Sequence, residues 1–157
     1  MLDLINGVQI IESCDFKLSA ATKLDEVKKH LGVYFVYYDT VSTGYTHVGL
    51  VCNKTLNFED KNYMSLCFDP DGTLINIKIS TLNTDNEYYF GDGSRIAKTM
   101  ENCRKWLAAN CPIGRYDWGD ISLGKDTDLR LFVGITICLR CEYYRKRFSE
   151  PFRYRLE

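Results

Sequence analysis

The sequence predicts an α+β fold: a curved antiparallel β-sheet of about six strands with two helices packed on one face. Three observations lead to this prediction. Several runs alternate between apolar and polar residues, which is typical of antiparallel strands with one buried face. Two other segments have apolar residues at helical spacing. Short turns, rather than helical crossovers, join neighbouring strand-like runs, which argues against a parallel sheet.

Length and composition favour a single domain. The 157 residues, 45% of them hydrophobic, are enough for one substantial core, so we expect one domain over 1–157 with a basic, aromatic tail at 142–157. The net charge of −1 argues against a polybasic nucleic-acid binder. No apolar run approaches the ~20 residues of a membrane span, and the first residues lack the features of a secretory signal. Seven cysteines, an odd number set mostly in apolar runs, indicate buried free thiols and a cytoplasmic protein.

The first half of the chain contains one helix and five strand-like runs. The helix is predicted between Thr22 and Gly32, because Thr22 and Asp25 resemble a capping box and Gly32 is a common C-terminal stop. Its apolar residues fall on one face. The strand-like runs are 8–11, 33–40, 46–52, 62–68 and 74–80.

The second half contains one helix and one hairpin. A polar loop over 82–93 precedes a helix that Ser94 caps and that runs from Arg95 to about Asn110, before Pro112. A strand at 120–123, a turn at 124–128 and a return strand at 129–139 follow. The return strand has the longest clean alternation in the chain, so we expect it near the middle of the sheet.

A motif at Asp69-Pro70-Asp71-Gly72 resembles the nucleophile loop of haloacid-dehalogenase-like phosphatases. That loop leads toward a helical region, whereas here a strand-like run follows at once. A similar later motif of that family, at Asp92, is too close in sequence for the intervening β-α units, which need roughly 30 residues each. Asp-Pro-Asp-Gly between alternating runs predicts a hairpin turn instead.

Other candidate sites also have simpler interpretations. A calcium loop counted from Asp69 would end at Ser80 instead of a bidentate acid. Cys138 and Cys141 have the spacing of half a zinc site, but no second such pair follows. His47 is a candidate general base without an evident nucleophile. The Gly91–Ser94 turn before a helix lacks the lysine of a phosphate loop. We therefore expect no catalytic residues, no metal and no cofactor.

Two loops combine acidic and aromatic residues, which is the composition of many protein-binding surfaces: rings act as anchors, and charge steers the partner. The first lies in the long loop before the second helix, and the second surrounds the last hairpin. The predicted partner-binding residues are Asp85, Glu87, Tyr88, Tyr89, Asp92, Tyr116, Asp117, Trp118, Asp120, Asp126 and Asp128.

The tail mixes arginine with tyrosine and phenylalanine. From Arg140 to Glu157 it carries six Lys or Arg against three Glu. Such a mixture can stack on and neutralise single-stranded nucleic acid, or it can form an edge strand with a solvated end. A nucleic-acid-binding protein or small toxin-like enzyme that uses this tail and His47 is therefore the alternative function.

The layout of residues 4–140 resembles small bacterial immunity proteins of contact-dependent inhibition and related polymorphic toxin systems. The likeness lies in "LINGVQIIESCDFKLSAATKLDEVKKHLG", "YMSLCFDPDGTLINIKIS", the helix ending "WLAANC" and "YDWGDISLGKDTDLRLFVGITICL". The resemblance implies a non-enzymatic inhibitor whose partner is the C-terminal domain of a secreted toxin, for which a basic nuclease would suit the acidic loops. A domain of the same fold without a toxin partner is a third interpretation.

Overall fold

The computed structural model describes residues 2–3, 6–11, 15–52, 62–80, 93–126 and 132–139. Over these residues it has an α+β architecture with two open antiparallel sheets and two α-helices. The strands are β1 Leu2–Asp3, β2 Val8–Ile11, β3 Phe16–Leu18, β4 Phe35–Thr40, β5 Thr46–Cys52, β6 Asn62–Phe68, β7 Leu74–Ser80, β8 Gly114–Tyr116, β9 Gly119–Asp126 and β10 Phe132–Cys138. The helices are α1 Leu24–Leu31 and α2 Gly93–Asn110, and a 3-10 turn over Gly32–Tyr34 follows α1.

The main sheet has seven strands in the order β4-β5-β6-β7-β10-β9-β8, and β1, β2 and β3 form a smaller sheet. The fold class predicted from the sequence is confirmed, with one more strand in the main sheet than expected. The return strand, β10, has partners on both sides, as its alternation predicts. Neither described helix is long and apolar enough to cross a membrane.

The core lies between the main sheet and both helices. Cross-strand register aligns apolar residues in rows on one face, and these rows share one buried cluster with Val27 and Leu31 of α1 and with Cys103 and Leu107 of α2. One row runs through Leu50, Met64, Ile79 and Ile135, and the next through Val48, Leu66, Ile77, Ile137 and Ile121. The two helices therefore cover the same face.

The Asp-Pro-Asp-Gly motif forms the β6–β7 turn. The buried Asp69 carboxylate accepts hydrogen bonds from the Asp71 and Thr73 backbone N–H groups through Oδ1, at 3.0 and 2.8 Å. The start of α1 docks on this turn: the Leu24 N–H donates to the Gly72 carbonyl at 2.8 Å. Asp69 therefore organises a turn, as predicted, and does not face solvent as a phosphatase nucleophile must.

The register of that hairpin contains an irregularity that the sequence did not reveal. Phe68 pairs with Leu74 while Leu66 pairs with Ile77, so a β-bulge interrupts the alternation. Leu74 and Ile75 are both fully buried, and Leu74 belongs to the core cluster together with Ile77 and Ile79.

Several predicted boundaries were also wrong. The N-cap of α1 is Lys23, whose N–H donates to the Glu26 carboxylate at 3.1 Å, while Thr22 is buried and accepts a hydrogen bond from the Ser19 N–H. The run over 33–40 begins as a 3-10 turn before β4. Helix α2 begins before Ser94, and β9 extends through the positions assigned to the turn, as far as Asp126.

The described thiols match the cysteine prediction. Cys103, Cys111 and Cys138 are buried thiols outside any disulfide, and Cys67 is a half-buried thiol. Burial raises the pKa of the Cys111 thiol to about 11. The remaining cysteines lie outside the residues whose side chains the structure describes.

Candidate protein-binding surfaces

The first candidate surface is the corner between β8 and β9, which contains three of the predicted contact residues. Tyr116 and Trp118 stack with ring centroids 5.1 Å apart and planes inclined by 10°. Asp117 lies between them in the chain and is exposed. An exposed carboxylate beside two half-buried rings is a compact acidic and aromatic group, which we call the β8–β9 corner.

Contacts on both sides hold the two rings of the corner. The Tyr116 hydroxyl donates to the Pro112 carbonyl oxygen at 2.6 Å. The Trp118 ring contacts the backbone of Gly7, and a Cβ atom at position 7 would overlap the ring. Gly7 also has a positive φ of 63°, which favours glycine. The turn between β1 and β2 therefore needs glycine for two independent reasons.

Burial changes the titration of this corner. Desolvation raises the pKa of the Tyr116 phenol, and the neighbouring Cys111 thiol adds to the increase. The Tyr116 phenol therefore keeps its proton to a higher pH than a free tyrosine does.

Asp120 differs from the surface acid that was expected. Its side chain is 2% exposed, and the strand register places it opposite Cys138 of β10, on the sheet face away from the helices. The acidic character of the segment was visible in the sequence, but the direction of this side chain depends on the register with β10. Asp120 is therefore excluded from a contact surface in the free chain.

The other predicted contact residues lie at the end of β9 or outside the described residues. Asp126 ends β9, and its side chain is not among those described. The remaining predicted contacts lie outside the described residues: Asp85, Glu87, Tyr88, Tyr89, Asp92 and Asp128.

His47, the candidate base, belongs to a polar row that crosses the main sheet. Cross-strand pairing places it between Asp39 and Cys67. The row as a whole reads Asp39, His47, Cys67, Asn76, Cys138, Asp120 and Arg115, one residue from each strand. Among the described residues, no three His, Cys, Asp or Glu side chains converge into a metal site. Cys141 of the half zinc motif and the Gly91–Asp92 turn lie outside the described residues.

The second candidate surface, which sequence reasoning missed, surrounds β4 at the other end of the sheet. Five of the exposed large apolar residues lie within nine consecutive positions of the chain; they are Val33, Tyr34, Val36, Tyr38 and Val41. We call this group the β4 edge patch. The signal was present in the run Val33–Tyr38, because apolar residues at every position cannot all face one core.

Tyr38 is the most constrained ring of the β4 edge patch. It stacks on Phe35 with centroids 6.3 Å apart, and the Lys28 ammonium lies 4.9 Å above its ring. The hydrogen bond from Lys28 lowers the pKa of the Tyr38 phenol, and the same contact raises the pKa of Lys28. Tyr38 is nevertheless 44% exposed, so an ordered aromatic ring faces solvent.

Comparison of the chain with models of known protein families, with curated proteins and with solved structures yields no match. The two surfaces described above are therefore the features of the chain that bear on its function.

Proposed function

We propose that this chain is a cytoplasmic immunity protein that binds the C-terminal domain of a secreted toxin and blocks its active site or substrate path. The proposal treats the chain as a non-enzymatic inhibitor, in agreement with the layout of residues 4–140. The observation that carries it is the β8–β9 corner, where two ordered rings flank an exposed carboxylate.

Preordering makes this corner suitable for tight binding. Immobilising a side chain at an interface costs about 0.5–1.5 kcal/mol, and that cost is smaller for rings already held in the free protein. Tyr116 is held by Pro112, and Trp118 by Gly7. Tyrosine and tryptophan are also enriched among the residues that dominate binding energy.

The charge of the surface favours a basic partner such as a nuclease domain. Asp117 provides an exposed carboxylate in the corner, and Asp85, Glu87, Asp92, Asp126 and Asp128 are proposed to extend the acidic surface. Charges at the rim of an interface act mainly on the association rate, since they steer the partner before contact. Asp120 is not included because it is buried.

The test is co-purification and binding kinetics with the C-terminal domain of a large secreted protein encoded next to this chain. We expect a stable complex that suppresses the toxicity of that domain. Asp117→Lys should lower the association rate about tenfold at low salt, and by less as salt rises. Asp71→Lys is the matched control, because Asp71 is an exposed acid in the β6–β7 turn.

Two results would contradict the proposal in different ways. If the full chain neither binds nor protects against the adjacent toxin domain, the immunity function is wrong. If binding occurs but Asp117→Lys behaves like Asp71→Lys, the contact surface is wrong. Charge reversal at Asp85, Glu87 and Asp92 then tests the first acidic loop, and charge reversal at Asp128 tests the hairpin.

A further inference from the structure

The outer side of β4 is the longer of the two edges of the main sheet. Within the described residues, β5 is its one strand partner, and the strand carries neither lysine nor proline. Exposed edge strands are templates for pairing with another chain, and natural proteins usually blunt them with lysine, proline, bulges or short length. On β4 the bulge between Phe35 and Tyr37 leaves the segment from Tyr37 to Thr40 regular.

Backbone hydrogen bonds identify the groups that point outward from this edge. The Val41 N–H donates to the Tyr45 carbonyl at 2.9 Å, toward β5. The direction of the backbone groups alternates along an antiparallel strand. The N–H and C=O of Tyr38 and Thr40 therefore point away from β5, and the β4 edge patch surrounds them with apolar side chains.

We propose that a second copy of this chain pairs with β4 in antiparallel fashion, with Tyr38 on a two-fold axis perpendicular to the sheet. Such a pair is isologous, since each copy offers the same surface to the other. The axis keeps the helices of both copies on the same face, and the two main sheets become one continuous sheet.

The alternation of side chains restricts the register of this pair. Residues opposite each other in an antiparallel pair lie on the same face of the sheet. Tyr38 lies on the helix face with Val48, and Tyr37 and Asp39 lie on the other face with Gly49 and His47. An axis between two residues would set side chains of opposite faces against each other, so the axis must pass through a residue. In the middle of the regular segment, that residue is Tyr38 or Asp39.

Electrostatics selects between these two registers. An axis through Asp39 would set two carboxylates opposite each other with Cα atoms about 4.5 Å apart, which is destabilising. An axis through Tyr38 instead sets Tyr37 of one copy opposite Asp39 of the other. The Tyr37 hydroxyl already donates to Asp39 within the chain at 3.0 Å, and the pair supplies the same acceptor across the interface.

The contacts of Tyr38 favour this position on the axis. The ring is fixed by Phe35 on one side and by Lys28 over its face, so little side-chain freedom is lost on pairing. Asp25 lies close enough to act on the charge of Lys28 and moderates the repulsion between the two lysines near the axis.

The first experiment measures the mass of the full chain in solution by size-exclusion chromatography with light scattering over a range of concentrations. We expect the mass to rise from 18.2 kDa toward twice that value, about 36 kDa. Tyr38→Lys and Val36→Lys should each keep the chain monomeric. Ile113→Lys is the matched control, because Ile113 is 43% exposed but lies beside β8.

The second experiment tests the register by disulfide cross-linking under mild oxidation, with the parent chain as background. Tyr38→Cys should give a covalent dimer, because Cα atoms of an antiparallel hydrogen-bonded pair are about 5.5 Å apart. Asp39→Cys alone should give no covalent dimer. Position 39 of one copy is offset by two residues from position 39 of the other, so the two thiols are beyond the reach of a disulfide.

Three outcomes would overturn the proposal. A monomer at every concentration excludes the dimer. A dimer that survives both Tyr38→Lys and Val36→Lys, with folding checked by circular dichroism, uses another surface. A cross-link through Asp39→Cys but not Tyr38→Cys refutes the register. Because no toxin domain is present in these measurements, they are independent of the immunity function.

Discussion

The two edges of the seven-stranded sheet are built differently. At one edge, β8 has three residues, is preceded by Pro112, and presents the exposed Arg115, so little backbone is available for pairing. At the other edge, β4 has six residues, lacks proline and lysine, and lies within the β4 edge patch. The difference suits the β8–β9 corner to recognition through side chains and the β4 edge to pairing through the backbone, which are the two contacts we propose.

The strongest test of this difference is at Gly119, which fixes the β8–β9 corner. A Cβ atom at this position would overlap the carbonyl oxygen of Cys138 on the neighbouring strand. Gly119→Ala should therefore lower the free energy of unfolding by about 3 kcal/mol, since backbone atoms must shift to relieve the overlap. Chemical denaturation of both proteins measures the change.

Gly114→Ala is the matched control, because Gly114 lies in β8 and a Cβ atom there meets nothing within 4 Å. It should change the free energy of unfolding by less than about 1 kcal/mol. Similar losses for the two substitutions would mean that the corner is not held by the close approach of Gly119 to β10.

A second test uses pH and concerns Cys111, which follows α2 just before the β8 edge. Burial raises the pKa of this thiol to about 11 from 9.0, so between those values the unfolded chain loses a proton that the folded chain keeps. Stability therefore falls as pH rises from about 9 to 11, by at most about 1 kcal/mol per pH unit. Tyr116 acts in the same direction, because its pKa is also raised.

Cys111→Ala isolates the thiol from the contribution of Tyr116. Denaturant unfolding at pH 8, 9 and 10 under reducing conditions should show a smaller loss of stability with pH in the variant than in the parent chain. Parallel pH curves for the two proteins would show that the Cys111 thiol does not titrate differently in the folded and unfolded states.

The sequence predicted the fold better than the surfaces, for physical reasons that individual residues make clear. Strands Val8–Ile11, Thr46–Cys52, Asn62–Phe68 and Leu74–Ser80 were predicted with their observed bounds, because turn residues bracket them. Strands β1, β3 and β8 were missed, because two or three residues are too few to display a period.

The surfaces depend on long-range pairing, which local patterns do not contain. Asp120 looked like an exposed acid, but it is buried and lies opposite Cys138 of β10. The segment over 33–40 was predicted as a strand because it is rich in Val, Tyr and Phe, and this composition does not show which of its side chains are exposed. Its exposure follows from the position of β4 at the end of the sheet, and the strand order is not a property of the segment itself.

The smallest expected effect is at Lys28, and it distinguishes the two edges by the way their rings are held. Tyr116 and Trp118 are fixed by neutral contacts, whereas Tyr38 lies under an exposed ammonium group. Lys28→Met keeps most of the side-chain stem and removes the charge. An exposed cation–π contact contributes about 0.5–1 kcal/mol. Because this contact lies within one chain, its loss weakens pairing only by freeing the Tyr38 ring, so the dissociation constant of the dimer should rise by at most about two- to fivefold in analytical ultracentrifugation.

Lys29→Met is the control for a general loss of positive charge, because Lys29 is the neighbouring exposed lysine on α1. A second measurement reports the ring contact without reference to dimerisation. The hydrogen bond from Lys28 lowers the pKa of the Tyr38 phenol, so ultraviolet titration should show this pKa rising in Lys28→Met and unchanged in Lys29→Met. If the phenol shifts but the dimer does not weaken, Lys28 orders the ring without contributing to pairing, and the β4 edge relies on its backbone and apolar side chains alone.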